Sequence, residues 1–149
     1  MTSRRIPLKA IGALLLAACA SAPALATSNP PEGSVAINYS RCDGNYDSWG
    51  VHLFQRGPGG PAVDGIAWPS PMMPTGKTDF GVYWHMKLSL FPENKVNYII
   101  HKGDNKEQGG KDMQFNGATS KEIWVLQGDR KIYTSLEDAK AARAAEPCK

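Results

Sequence analysis

Short stretches of alternating apolar and polar residues, separated by Gly- and Pro-rich turns, run through most of the chain. In the first stretch, residues 34–40, Val35, Ile37 and Tyr39 alternate with smaller or polar residues. A period of two is typical of a strand with one buried face, so this stretch is predicted to be a half-buried β-strand. Similar apolar stretches predict further strands at residues 51–54, 82–88, 96–101, 122–126 and 132–133.

The segments between these strands are turn-forming, and only the C-terminal end of the chain has a helical pattern. Turns are predicted at residues 57–60, 69–76 and 103–110. Ser135 precedes an Ala-, Lys- and Glu-rich stretch at residues 136–144, which predicts a capped helix. Several short strands without intervening helices favour an all-β fold, a β-sandwich with a short C-terminal helix.

The N-terminal segment, residues 1–26, has the layout of a secretory signal peptide. A basic start is followed by an apolar run at residues 11–18 and then by small residues up to Ala26. Two processing routes fit this layout. Cleavage after Ala26 would release the protein, whereas lipoprotein processing would make Cys19 the first mature residue and attach a lipid to it.

Both routes predict a secreted or periplasmic protein, and the second predicts a lipid anchor in the bacterial outer membrane. Residues 27–33 are rich in Ser, Asn, Pro and Gly, which predicts a flexible lead-in. The domain itself is expected at residues 34–149.

Removal of residues 1–26 leaves a formally neutral protein of about 123 residues. Three of the chain's 17 Lys and Arg residues lie in the leader, so 14 remain against 14 Asp and Glu. A neutral surface lacks the positive charge that nucleic-acid binding needs. No apolar run after the leader reaches the roughly 18 residues of a spanning helix. We therefore expect no nucleic-acid partner, and no membrane contact beyond an N-terminal lipid.

The cysteines predict one disulfide. Either processing route consumes Cys19, which leaves Cys42 and Cys148 as a pair in an oxidising compartment. Such a pair forms a disulfide more often than it remains as two free thiols. The bond would connect the region of the first strand to the C-terminus.

No catalytic or metal-binding constellation can be assembled from the sequence. His52, His85 and His101 are scattered, and the chain has neither a Cys-x-x-Cys pair nor a Gly-x-Ser-x-Gly nucleophile turn. At about 123 residues the protein is also too short for an α/β barrel, which needs roughly 250. We therefore predict no enzymatic activity, no cofactor and no metal site.

The aromatic residues favour recognition of an uncharged ligand. Four Trp, five Tyr and four Phe are present, and aromatic planes stack on the C–H faces of sugar rings while a few polar groups bind the hydroxyls. In the predicted strand 51–54, His52 and Phe54 share one face. If Val51 and Leu53 fill the core, the two rings form an exposed stacking platform. The alternative is that they simply cover the sheet.

Five segments of the sequence resemble the pullulanase-associated domain, a starch-binding module of bacterial enzymes that debranch α-glucans. In family order they are residues 37–41 (INYSR), 43–50 (DGNYDSWG), 79–81 (DFG), 99–106 (IIHKGDNK) and 122–129 (EIWVLQGD). The resemblance implies an immunoglobulin-like β-sandwich that binds α-glucans such as starch, amylopectin, pullulan and maltooligosaccharides without catalysis. We expect a monomer and a standalone copy, without the barrel that such modules usually accompany.

The resemblance also implies the binding residues. The family binds glucan through two stacking aromatics, a lysine and an aspartate, and these fall on His52, Phe54, Lys106 and Asp112, with Lys102 as the alternative lysine. Lysine donates to sugar hydroxyls and aspartate accepts from them. Many family members carry Trp at one or both aromatic positions, so the smaller rings here predict weaker binding.

Two tryptophans complete the candidate binding site. Trp68 lies in a Pro-rich loop that can rim the site, whereas Trp49 has the opposite strand parity from His52, so core or edge packing is its alternative role.

The departures at His52 and Phe54 keep a second function open. This is a secreted protein-interaction or structural β-sandwich that has lost sugar binding.

Overall fold

The computed structural model of the protein describes residues 27–148. The predicted leader, with both processing sites and Cys19, lies outside the described residues. The described part folds as two β-sheets and one α-helix, which confirms the predicted β-sandwich with a C-terminal helix. In chain order the elements are β1 (Ser34–Ser40), β2 (Gly50–Phe54), β3 (Gly76–Lys77), β4 (Val82–Lys87), β5 (Lys95–Lys102), β6 (Asn105–Lys106), β7 (Met113–Asn116), β8 (Glu122–Leu126) and α1 (Leu136–Ala145).

The first sheet has the strand order β3-β4-β1-β8, with β1 antiparallel to β4 and parallel to β8. In the second sheet β5 is central. It pairs antiparallel with β2 along one edge and with β6 and β7 along the other. The inward side chains of both sheets form one core, in which the largest fully buried members are Trp84, Tyr39 and Tyr98. Burial of each Val, Leu, Ile, Phe or Met side chain in this core stabilises the fold by about 1.5–3 kcal/mol.

β1 is buried on both faces, so the expectation of a half-buried strand was wrong. Residues 35–39 are all buried. The inner face packs in the core, while the outer face is covered because Trp124 of β8, beside Asn38 in the register, packs under α1. Asn38 Nδ2 donates to the Ile123 carbonyl and to Glu122, so the amide nitrogen of this buried side chain has hydrogen-bond partners.

The other differences concern short pairings. Residues 132–133 do not form a strand, because only Tyr133 pairs, through a single bridge to Trp124. Conversely, the turn predicted at residues 103–110 contains β6, and β7 follows it where no strand was predicted. Neither strand was recognisable from the sequence, since β6 has two residues and the apolar residues of β7 are only Met113 and Phe115.

The C-terminal helix and the disulfide close the domain. α1 begins after Ser135, whose Oγ accepts a hydrogen bond from the Asp138 backbone N–H at 3.1 Å, as predicted. Cys42 and Cys148 are bonded, with their Cα atoms 5.4 Å apart, which confirms the predicted disulfide. No helix among residues 27–148 is long and apolar enough to cross a membrane.

Candidate functional site

A surface cavity of about 200 Å³ opens on the outer face of the second sheet. It brings together five of the six predicted binding residues, and its lining consists of His52, Phe54, Gly59, Gly60, Trp68, Ile99, Lys106 and Asp112. A larger cleft of about 630 Å³ lies beside the disulfide, but no aromatic ring lines it. The smaller cavity is therefore the candidate site for a ligand with flat apolar faces.

The strand register explains why these side chains meet. His52 of β2 lies opposite Ile99 of β5, and Lys106 of β6 lies opposite His101 of β5. Because side chains alternate between the faces of a strand, these four share the outer face of the sheet. Lys102 has the opposite parity from His101 and does not line the cavity. Of the two alternative lysines, Lys106 is the one at the cavity.

Phe54 lines the cavity from a buried position, so the expectation of an exposed ring was wrong. Only 3% of the residue is exposed. After β2 the chain turns back through residues 57–60, and Ala62 pairs with Phe54. Gly59 and Gly60 therefore lie beside the ring. The Phe54 and His52 rings are still near-parallel, at 25° and 6.1 Å between centroids, but His52 is the more exposed of the two.

Trp68 supplies a second half-exposed ring from a loop that pairs with the edge of β2 through the Val51–Met72 bridge. The loop residues Pro71 and Met72 pack against Gly50, where an added Cβ would be 2.6 Å from Pro71 Cγ and 3.1 Å from the Met72 carbonyl oxygen. Only glycine leaves room for this close approach. As a result the indole of Trp68 reaches the outer face of the sheet, with its centroid 5.5 Å from the His52 ring and at 68° to it.

The Trp68 indole contacts three groups from β5, β6 and the turn between them. It lies face to face with the imidazole of His101, at 3.8 Å between centroids and 6° between planes. Its Nε1 donates to Asp104 Oδ1 at 3.3 Å. Lys106 Nζ lies 5.0 Å from the ring centroid, within range of a cation–π interaction.

A buried polar network fixes the backbone next to Lys106. Glu107 turns into the protein, where its carboxylate accepts hydrogen bonds from the Tyr39 hydroxyl, Arg41 and the Gly128 N–H. Arg41 and Glu107 are both largely buried and form an ion pair at 3.3 Å. Burial, and then the neighbouring Glu107 carboxylate, raise the pKa of Tyr39, so it stays a neutral donor. Lys106 therefore extends to the cavity from a firmly held turn.

The surroundings of His52 favour the neutral form of its imidazole. Burial lowers its pKa below the usual 6.5, and the nearby His101 and Lys106 lower the pKa further, although Asp112 acts in the opposite direction. In addition, His52 Nδ1 is buried without a hydrogen-bond partner among the described residues. An imidazolium would need a partner for both nitrogens. The cavity thus presents a neutral ring beside one cation and one carboxylate.

Trp49 was predicted as a binding residue, but it does not line this cavity. It is 8% exposed and belongs to the core cluster, with its ring 5.8 Å from that of Tyr39. The Arg41 guanidinium covers it at 4.3 Å from the centroid. This is the packing role that its strand parity allowed.

Ile99, His101 and Asp104 also lie at the site, although the sequence analysis did not predict them there. The alternation along β5 could have placed Ile99 and His101 on the outer face of the sheet. Together with Asn97 they alternate with residues of the core, which are Val96, Tyr98 and Ile100. No sequence signal could have paired Asp104 with Trp68, because the contact depends on the loop that packs against Gly50. Among residues 27–148, no group of three His, Cys, Asp or Glu is placed to hold a metal ion.

The fold and the site define a β-sandwich that carries an aromatic-lined cavity on the outer face of one sheet. The sequence profile of the bacterial pullanase-associated domain matches residues 33–134, and the chain belongs to this family. It is also 32% identical over 71 residues to an α-amylase of Streptomyces lividans. That match covers 48% of this chain but only 7% of the amylase.

Solved structures with the same fold include modules and whole enzymes. Family 41 carbohydrate-binding modules from streptococcal virulence factors, described as recognising α-glucan, align at a TM-score of 0.57 and 24% identity over 74% of this chain and 51% of theirs. PulA from Klebsiella oxytoca aligns at 0.62 and 22% identity over 85% of this chain and 13% of PulA. The chain thus corresponds to about half of the solved module chain and to a small part of PulA.

Proposed function

We propose that this domain is a non-catalytic carbohydrate-binding module that recognises α-glucans such as starch, amylopectin, pullulan and maltooligosaccharides. The observation that carries the proposal is the convergence of His52, Trp68, Lys106 and Asp112 on one cavity. Two neutral rings can cover the C–H faces of glucose units. The ammonium group can donate to sugar hydroxyls, and the carboxylate can accept from them.

The angle between the rings favours a curved chain. The His52 and Trp68 planes are inclined by 68°, so two sugar rings stacked on them could not lie in one plane. Successive glucose units of an α-1,4-linked chain are turned relative to one another, whereas the units of a β-1,4-linked chain form a flat ribbon. The site is therefore suited to α-glucans and not to cellulose.

The proposed location is the cell exterior or the periplasm. The disulfide between Cys42 and Cys148 supports it, since such bonds persist in oxidising compartments. Release by cleavage after Ala26 and anchoring through a lipid on Cys19 remain the two predicted fates of the leader.

Affinity electrophoresis tests the proposed function. The protein, expressed from the full chain and purified after export, should be retarded in native gels that contain amylopectin or pullulan. It should migrate normally in gels that contain hydroxyethyl cellulose. Equal mobility in every gel would contradict glucan binding and favour the alternative of an interaction or structural domain. The observation in favour of this alternative is the burial of Phe54, which reduces the aromatic surface available to a sugar.

Two pairs of variants locate the site. Trp68→Ala should weaken binding by about 1–3 kcal/mol, the range for aromatic side chains that stack on flat rings, while Tyr83→Ala, on the outer face of the other sheet, should not. Lys106→Met should weaken binding and Lys102→Met should not. If the control of either pair had the larger effect, the ligand would bind elsewhere on the domain.

A further inference from the structure

The stack of Trp68 on His101 is the closest and most nearly parallel aromatic contact among the described residues. His101 is only 1% exposed and belongs to the central strand of its sheet. Its Nδ1 lies 2.8 Å from the Gly103 carbonyl oxygen, which makes Nδ1 the donor, since a carbonyl can only accept. Strand and hydrogen bond together fix the plane of the imidazole.

Trp68, by contrast, has little support from its own loop. It lies in a tight turn between the paired residues Ala67 and Ser70, and both of these residues and Pro69 are exposed. The hydrogen bond from its Nε1 to Asp104 is long and lies at the surface. A hydrogen bond of this kind contributes little net stability in water. The other contacts of the indole are with His52, Lys106 and His101, and the face-to-face stack on His101 is the closest of them.

We infer that His101 is a positioning residue, which holds the Trp68 indole in the orientation that glucan stacking requires. This inference rests on the proposed function. His101 does not itself line the cavity, so it acts through Trp68 and not through a contact with sugar. An indole that is already immobilised loses less side-chain entropy when the ligand binds.

The alternative role of a buried histidine is to fill space, and two substitutions of similar size separate these roles. His101→Leu fills the volume without a flat ring, whereas His101→Phe retains a flat ring. Both lose the hydrogen bond to Gly103, so only the stacking surface distinguishes them. Melting temperatures of both variants serve as the control for folding.

Acrylamide quenching of tryptophan fluorescence tests the positioning without any glucan. Trp49, Trp84 and Trp124 are buried and Trp68 is half-buried, so quenching reports mainly on Trp68. Quenching should increase in His101→Leu and remain near the wild-type level in His101→Phe. Equal quenching in all three folded proteins would overturn the inference.

Glucan affinity gives the second readout, by calorimetric titration with a maltooligosaccharide. His101→Leu should lower the affinity by about 2- to 12-fold, the factor that corresponds to an aromatic pair. His101→Phe should remain within about twofold of wild type. An equal loss in both variants would show that the ring does not matter and would overturn the inference.

A double-mutant cycle shows whether His101 acts through Trp68. In a Trp68→Ala background, His101→Leu should cause no further loss of affinity, whereas independent roles would give additive losses. If wild-type protein bound no glucan, the proposed function would fail, but the quenching experiment would still decide whether His101 holds Trp68. The two failures are therefore distinguishable.

Discussion

Phe54 is 3% exposed and lines the cavity from a buried position on the outer face of the second sheet. Phe54→Ala should therefore destabilise the fold by about 3–5 kcal/mol, as is typical of large-to-small substitutions in cores. Urea unfolding measures this loss. His52→Ala, at the more exposed ring, is the matched control and should cost much less. Similar costs for the two variants would contradict the difference in burial.

His52 should make stability depend on pH below neutrality. Its folded pKa is lowered by burial, while the unfolded chain has the usual value near 6.5. As the pH falls through 6.5 toward the folded pKa, the unfolded state binds the proton first, so the free energy of unfolding decreases. Below the folded pKa there is no further loss from this residue.

Comparison with a variant that cannot titrate isolates this contribution. The free energy of unfolding of wild type relative to His52→Gln should fall between pH 7 and pH 5. His101, Lys106 and Asp112 face the imidazole, so the comparison must keep them unchanged. A difference between the two proteins that is constant over this range would contradict the lowered pKa.

At the level of elements, the loop at residues 66–72 depends on the missing side chain of Gly50. Gly50→Ala would put a Cβ 2.6 Å from Pro71 Cγ, so the loop must move away from β2. We expect weaker glucan binding and greater acrylamide quenching, because Trp68 loses its position over His101. Fluorescence and affinity electrophoresis measure the two effects.

Gly44→Ala is a useful control for this prediction. Its added Cβ would meet no atom within 4 Å, although its positive φ introduces backbone strain. It should lower stability modestly and leave binding intact. If Gly50→Ala bound glucan like wild type, the packing of the loop against Gly50 would not position Trp68.

At the level of the whole molecule, the disulfide joins the end of β1 to the segment after α1. It spans 106 residues, and the chain-entropy account gives a stabilisation of up to about 4–5 kcal/mol for a loop of this length. The Cys42→Ser and Cys148→Ser double variant should therefore unfold at lower urea concentration. Non-reducing peptide mapping of the exported protein should recover the two cysteines in one linked fragment.

Glucan binding should survive loss of this bond at temperatures where the variant is folded. The cleft beside the disulfide and the proposed glucan cavity share no lining residue. Loss of binding in a folded double variant would show that the two regions are coupled. Two free thiols in the oxidised protein would contradict the bond itself.

The strands with a long apolar pattern and the cap of the helix could be predicted from the sequence alone. Residues 122–126 and 34–40 are strands at the predicted positions because a short apolar stretch bounded by turn residues is a local property of the chain. The two-residue pairing of β6 was not readable, since it exists only through its contact with β5. The even pair of cysteines was sufficient to predict the disulfide.

Tertiary structure alone decided which rings face the candidate ligand. Strand parity correctly put His52 and Phe54 on the outer face, but parity carries no information about what covers that face. Phe54 is buried although it lies on that face, and the loop packed against Gly50 brings Trp68 to His101. The contact between Trp68 and His101 joins residues that are distant along the chain, and such contacts form only when the sheets assemble.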